Sequence, residues 1–202
     1  LPPEQLPPEI DMDLAREMAA TAPSLHTYIP TTHRIAQFAN NKGPGPRDRI
    51  VYVDGTFDLL HPGHVSFLKK AKELGDYLVV GVHDDPTTEE LKIRDAPIMT
   101  LQERVLNVLA MKYVDDVIIG APYLITKELM DQIQPDIVVE GSCPTRTVVD
   151  ENDIPKKLGI FKKIESDYPT LTAHTVCQRI LDNYQYFQKR NKSKRETTPD
   201  AN

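Results

Sequence analysis

Short apolar runs that alternate with helical patterns constrain the fold of this chain most strongly. The runs IVYV, YLVVGV, DVIIG and DIVVEG lie between residues 50 and 141, and amphipathic stretches at residues 63–74, 101–111 and 127–133 separate them. Runs that are apolar on both faces are typical of parallel strands covered by helices. The sequence therefore predicts an α/β domain with a Rossmann-like open parallel sheet and helices on both faces.

The outer segments differ in composition from this central region. Residues 1–30 are rich in proline and predict a largely extended linker, after which Thr31 or Thr32 can cap a short helix. Thr100 and Thr126 are expected to cap internal helices, and LGIFKKIES predicts a late strand before a final helix that opens at Thr172. We predict a linker at 1–30, a folded domain at 31–190 and a disordered charged tail at 191–202.

Charge and cysteine content exclude several classes of protein. A net charge of -6 argues against nucleic acid as the main partner, because binding of phosphate backbones needs a basic surface. Cys143 and Cys177 have no metal-ligand spacing, and two thiols suit a reducing cytoplasm. No apolar run reaches the roughly 18 residues of a membrane span, so stable membrane insertion is not expected. The chain begins with Leu1 rather than Met, which suggests a piece of a longer protein.

The motif GTFDLLHPGH, residues 55–64, joins the first predicted strand to the first predicted helix. Gly55 permits a sharp turn, Pro62 suits the first turn of a helix, and Gly63 lets a ligand approach the helix start. His61 and His64 are three residues apart, so their rings should point the same way on a helical turn. Backbone amides and two imidazole donors at a helix start predict a phosphate site. The alternative is that His61 caps the helix and His64 is an ordinary surface residue.

GTFDLLHPGH resembles the HxGH signature of the nucleotidylyltransferase superfamily, in the form found in its cytidylyltransferase branch. The segments LGDYLVVGVHDD, PIMTLQERVLNVLAMKYVDDVIIGAPY and GIFKKI extend the resemblance over about residues 28–190. They are most similar to the cytidylyltransferases that act on phosphoethanolamine and are built from two tandem repeats, of which this chain resembles the second. The resemblance implies CMP transfer from CTP to phosphoethanolamine, with Mg²⁺ accompanying CTP.

The resemblance also implies a role for individual residues and a partner for the domain. The partner is the first cytidylyltransferase repeat of the same protein or a second copy in a homo-oligomer. Arg94 is the nearest substitute if Lys92 does not neutralise the phosphates. The implied catalytic residues are His61, His64 and Lys92; the implied nucleotide-binding residues are Gly55, Thr56, Phe57, Gly63, Arg104 and Thr172; and Asp58 and Asp85 are implied to bind the ammonium of the acceptor.

Two segments depart from the cytidylyltransferase pattern. Where the family has RTxGIST before the last helix, this chain has DYPTLTA, which retains Thr172 as a hydroxyl and places Asp167 where a cation is expected. After the fourth strand the chain reads EGSC, with Glu140 before rather than after the glycine. Two alternatives to the ethanolamine enzyme therefore stay open. One is a catalytically degenerate repeat that supports a catalytic first repeat, and the other is a phosphocholine cytidylyltransferase. An adenylyltransferase is disfavoured by the GTFD and YVDDV context.

Overall fold

The computed structural model describes residues 43–85, 97–142 and 154–197. The predicted linker, the short helix after Thr31, Lys92, Arg94 and Cys143 lie outside these residues. The strands are β1 (Ile50–Gly55), β2 (Tyr77–His83), β3 (Asp116–Ala121), β4 (Ile137–Gly141) and β5 (Phe161–Ile164). The helices are α1 (Pro62–Lys72), α2 (Leu101–Leu109), α3 (Lys127–Ile133), α4 (Ile154–Lys157), α5 (Ala173–Asp182) and α6 (Tyr184–Thr197).

The five strands form one parallel sheet in the order β3-β2-β1-β4-β5. The chain moves outward from β1 through β2 to β3, and then returns to the other side of β1 for β4 and β5. The strand order therefore reverses between β1 and β4, and ligands of open parallel sheets bind beyond the carboxyl ends of the strands at this position. The predicted fold class is confirmed.

The core lies on both faces of the sheet because neighbouring residues of a strand point to opposite sides. Val51 and Val53 of β1 pack on one face with Leu68 of α1 and Val105 of α2. Tyr52 points to the other face, where it packs in a cluster that includes Leu129 of α3. Burial on both faces explains why the central strands are almost continuously apolar in sequence.

The helices begin at the hydroxyl groups that the sequence predicts as caps. The Thr100 side chain accepts a hydrogen bond from the Glu103 amide, and the Glu103 carboxylate accepts one from the Thr100 amide, which forms a capping box. Thr126 caps α3 and Thr172 caps α5 in the same way through their hydroxyl oxygens. Each such cap stabilises its helix by about 1 kcal/mol.

The end of the chain differs from the sequence-based prediction. Helix α6 continues to Thr197 and so extends into the segment 191–202 that composition predicts to be disordered. The physical reason is that eight of the fourteen residues of α6 are Gln, Lys, Arg or Glu, which have good helix propensity even without an apolar face to bury. Among the described residues, no helix is both long and apolar enough to cross a membrane.

Candidate active site

The loop between β1 and α1 places the predicted phosphate site at the point where the strand order reverses. Phe57 and Leu59 adopt left-handed backbone conformations, with φ values of 52° and 42°. Such conformations are unfavourable for non-glycine residues, so the surrounding contacts must hold them in place. The Phe57 ring is buried and packs against Gly55, where an added Cβ would lie 3.1 Å from ring atom Cε2. Gly55 therefore provides the space for the ring of Phe57.

His61 and His64 form a stacked pair at the start of α1, with ring centroids 3.9 Å apart. His61 is the N-cap residue of this helix, and its Nδ1 accepts a hydrogen bond from the Gly63 amide at 3.1 Å. His64 Nδ1 accepts a hydrogen bond from the His61 amide at 3.3 Å. A neutral imidazole that accepts at Nδ1 carries its proton on Nε2. Both rings can therefore donate from Nε2 while they remain part of the helix cap.

Burial keeps both imidazoles neutral in the unliganded protein. Desolvation, followed by the nearby His61, lowers the pKa of His64 to about 4, and Asp58 acts in the opposite direction. Desolvation also lowers the pKa of His61. An anion placed beside these rings would favour their charged forms and raise both pKa values. The pair is therefore an uncharged donor site that can gain protons when a phosphate binds.

A side chain at position 63, between the two histidines, would collide with the His61 ring. A Cβ at this position would lie 2.8 Å from His61 Cε1 and 2.9 Å from His61 Nδ1, so the imidazole ring would have to move. The same point lies 3.6 Å from the carbonyl oxygen of Leu171, which immediately precedes the α5 cap Thr172. The predicted nucleotide-binding residues Gly63 and Thr172 are therefore close together in the structure, although they are far apart in sequence.

Arg104 lies at the same end of the sheet, but it is fully buried. Its guanidinium donates hydrogen bonds to the carbonyl oxygens of Thr56 and His83 and forms an ion pair with Asp85 at 2.5 Å. The family resemblance implies that Arg104 binds the nucleotide and that Asp85 binds the ammonium of the acceptor. In the structure these two side chains bind each other.

The Asp58 carboxylate connects the β1–α1 loop to the segment that precedes α2. Its two oxygens accept hydrogen bonds from the amides of Ile98 and Met99, each at 2.9 Å. In this arrangement Asp58 stabilises the loop through backbone contacts. Its predicted role toward an acceptor ammonium stays a prediction.

Asp167 fixes the segment that departs from the family pattern onto α1. Its carboxylate forms an ion pair with Lys70 at 2.5 Å and accepts a hydrogen bond from the Ser66 hydroxyl. Hydrogen bonds from Lys70 and then Ser66 hold the pKa of Asp167 below its usual value. Sequence reasoning missed this cluster, although Ser66 and Lys70 at a helical spacing of four on the exposed side of α1 were a signal for it.

The combination of an open parallel sheet, a strand-order reversal and paired imidazoles at a helix start is typical of α/β domains that bind nucleotide phosphates. Residues 52–193 match the family model described as cytidylyltransferase-like. The chain therefore belongs to the cytidylyltransferase-like family, and the family resemblance inferred from the sequence is confirmed.

Curated relatives agree with this assignment. Ethanolamine-phosphate cytidylyltransferase from Dictyostelium discoideum is 45% identical over 175 residues, which cover 85% of this chain and 48% of the relative. The protein of the same name from Arabidopsis thaliana is 43% identical over 177 residues, which cover 83% of this chain and 41% of the relative. FAD synthase from Thermococcus sibiricus is 50% identical over a shorter stretch of 91 residues, which covers 45% of this chain and 61% of the relative. The chain thus spans about half the length of the two ethanolamine-phosphate cytidylyltransferases.

Proposed function

We propose that this chain is a domain of a CTP:phosphoethanolamine cytidylyltransferase, the second of two repeats, which transfers CMP from CTP to phosphoethanolamine. The observation that carries the proposal is the stacked His61–His64 pair at the α1 cap, within GTFDLLHPGH, at the reversal of strand order. The two relatives that match over most of this chain are both named ethanolamine-phosphate cytidylyltransferase, and this name indicates phosphoethanolamine as the acceptor and CTP as the nucleotide. The products would be CDP-ethanolamine, a precursor for phosphatidylethanolamine, and pyrophosphate.

The reaction needs positioning and charge stabilisation rather than a covalent enzyme intermediate. An oxygen of the phosphoethanolamine phosphate attacks the α-phosphorus of CTP in line and forms the new P–O bond. The bond from the α-phosphorus to the bridging oxygen breaks, and its electron pair leaves with pyrophosphate. The Nε2–H groups of His61 and His64 would donate to the phosphate oxygens, and their pKa values would rise as negative charge accumulates on the leaving group.

Mg²⁺ is proposed as a companion of CTP. Within residues 43–85, 97–142 and 154–192, no three His, Cys, Asp or Glu side chains form a group that could hold a metal ion. The described residues therefore do not fit a metal site built by the protein alone. Mg²⁺ usually retains several waters and is bound through substrate phosphates with one or two carboxylates.

The partner of this domain is proposed to be the first repeat of the same protein or a second copy of the chain. The support is that the relatives are about twice as long as the matched region. In addition, Ile180, Leu181 and Tyr184 on α5 and α6 are 49%, 65% and 55% exposed, although α5 is strongly amphipathic.

We propose a cytoplasmic location, because the free thiol of Cys177 suits a reducing compartment.

A second candidate function is a non-catalytic repeat that binds nucleotide and supports a catalytic neighbour. The observation that favours it is the Asp167–Lys70 ion pair. Asp167 lies in the segment where the family has an arginine, and its carboxylate binds Lys70 of α1, so this position supplies no positive charge to a triphosphate. This alternative predicts CTP binding without turnover by the isolated chain.

The test is a pyrophosphate-release assay with CTP and phosphoethanolamine, with CDP-ethanolamine identified as the product. We expect the chain to turn over, and the double variant H61A/H64A to lose at least about a hundredfold in kcat/KM, since each lost charge-assisted hydrogen bond costs about tenfold. The matched control is T126A, which removes the cap of α3 on the opposite face of the sheet from α1 and should keep its activity. Full activity of H61A/H64A would refute the catalytic assignment.

The same assay separates the remaining alternatives. Phosphocholine in place of phosphoethanolamine tests whether the chain is a phosphocholine cytidylyltransferase. ATP in place of CTP tests whether the chain is specific for CTP, since FAD synthase is among the relatives. CTP binding by the wild-type chain without pyrophosphate release would favour the non-catalytic repeat.

A further inference from the structure

The guanidinium of Arg104 joins three separate parts of the chain at the edge of the site. Nη1 donates to the Thr56 carbonyl at 2.7 Å and to the His83 carbonyl at 2.9 Å, so one nitrogen connects the ends of β1 and β2. Nε donates to the Met99 carbonyl at 3.1 Å, just before α2. Nη2 forms the ion pair with Asp85. Arg104 has a side chain with 0% exposure, so it has no surface left for a ligand in this conformation.

The contact with Thr56 determines the direction of the next amide. The Thr56–Phe57 peptide bond is trans, so its C=O and N–H groups point in opposite directions. Because Arg104 holds the Thr56 carbonyl toward itself, the Phe57 N–H points away from Arg104. The left-handed conformation of Phe57, with φ of 52°, is one that the backbone does not favour without such a restraint.

Asp58 holds the same loop through a second set of hydrogen bonds. Its carboxylate accepts from the Ile98 and Met99 amides, while Arg104 binds the Met99 carbonyl. The loop that contains Thr56 and Phe57 is therefore fixed to the segment before α2 by both a donor and an acceptor side chain. This arrangement leaves the Thr56–Phe57 peptide little freedom to rotate.

We propose that Arg104 is a positioning residue that never touches the nucleotide, and that it directs the Phe57 amide toward a phosphate oxygen beside His61 and His64. This inference rests on the proposed function for the identity of the anion. The Phe57 ring already lies against the His64 ring, with centroids 5.6 Å apart, so the Phe57 side chain borders the histidine pair. An anion at the imidazoles would then accept from both rings and from one backbone amide.

The test uses R104K in the full chain, with inorganic pyrophosphate as the probe and NMR as the readout. Lysine keeps the positive charge opposite Asp85, but a single ammonium nitrogen cannot occupy the positions of three guanidinium nitrogens. The measured signals are the Thr56 carbonyl carbon, the Phe57 amide and the imidazoles of His61 and His64. The matched control is R179K, a conservative change of an exposed arginine on α5.

In the wild-type chain and in R179K, pyrophosphate should shift the Phe57 amide and both imidazoles. In R104K the Thr56 carbonyl signal should move without ligand, the Phe57 amide should no longer respond, the imidazoles should still respond, and the dissociation constant should rise about tenfold. If R104K does not fold, D58N weakens the hydrogen bonds that hold the same loop to Ile98 and Met99 and should also suppress the Phe57 response.

Two results would overturn the inference. One is a Phe57 amide in R104K that responds to pyrophosphate as in the wild type. The other is weaker binding with an unchanged Thr56–Phe57 peptide, which would indicate direct contact between Arg104 and the anion. Absence of pyrophosphate binding by the wild-type chain is a different result, because it would overturn the proposed function.

Discussion

The imidazoles of His61 and His64 stack with their centroids 3.9 Å apart, and each uses Nδ1 to accept a backbone hydrogen bond. One side of each ring thus belongs to the helix cap, and the other side carries the Nε2 donor. The two interpretations of these histidines that the sequence left open, a helix cap and a phosphate site, are therefore compatible. In the neutral rings, structural and binding roles reside on different nitrogens, and a proton gained at Nδ1 would replace the hydrogen bond from the backbone amide.

The first prediction concerns the tautomers of the two histidines. Because both Nδ1 atoms accept from amides, both neutral rings should carry the proton on Nε2. Nitrogen-15 NMR of the imidazoles at neutral pH should show an unprotonated Nδ1 and a protonated Nε2 in each ring. A proton on Nδ1 of either ring would contradict the capping geometry.

The second prediction is the dependence of stability on pH. The folded pKa of His64 is about 4 and the ordinary pKa of histidine is 6.5, so the unfolded chain binds more protons between these two values. The contribution of His64 is fully present above pH 6.5 and is lost as the pH falls toward 4. Denaturant unfolding of H64Q across this window should show a smaller loss of stability on acidification than unfolding of the wild type. An equal loss in both proteins would exclude His64 as the cause.

The third prediction separates the capping role of His61 from its binding role. Asparagine is a good N-cap residue but lacks a donor at the position of Nε2. H61N should therefore keep the stability of the wild type and bind CTP about tenfold more weakly, because one charge-assisted hydrogen bond is lost. H61A should show the same weakening of CTP binding and, in addition, a loss of about 1 kcal/mol in the free energy of unfolding.

The control for this pair of variants is T126A, which removes a cap from α3 on the other side of the sheet. It should lose about 1 kcal/mol of stability while its affinity for CTP stays unchanged. Equal CTP affinity of H61N and the wild type would show that the His61 ring acts only as a cap.

The fourth prediction concerns the Asp167–Lys70 pair. D167A removes the ion pair and the hydrogen bond from Ser66 that hold the 165–172 segment on α1. Hydrogen exchange of amides in this segment should become faster, and molar salt should reduce the difference because the pair is partly exposed and therefore screened. D131A, at an exposed position of α3, is the control and should leave exchange in this segment unchanged. Slow exchange in D167A would mean that other contacts hold the segment.

The arrangement of strands and helices was predictable because it depends on periodicity and local caps. The runs around Val51, Val79, Ile118 and Val138 are apolar on both faces, and a parallel sheet covered by helices buries both faces of each strand. Thr100, Thr126 and Thr172 cap helices because a hydroxyl oxygen can satisfy the first amides of the helix locally. Such features need no knowledge of distant contacts.

The partners of the charged residues were not predictable because they depend on tertiary contacts. Nothing near Arg104 in sequence indicates that it will bind the carbonyl of Thr56, or that Asp58 will accept from Ile98 and Met99. The resemblance supplied a plausible ligand for each charge, whereas the structure gives these side chains protein partners. The histidines differ, because their spacing of three residues at a helix start determines their mutual geometry locally.

The most direct test of the account is calorimetric titration of the chain with CTP in buffers of different ionisation enthalpy, at a pH near the ordinary imidazole pKa. Because burial lowers the pKa values of both histidines and a bound phosphate raises them, we expect net proton uptake on binding. In H61A/H64A the proton uptake should disappear and the affinity should fall about a hundredfold. Wild-type affinity and unchanged proton uptake in that variant would contradict the assignment of the CTP phosphates to His61 and His64.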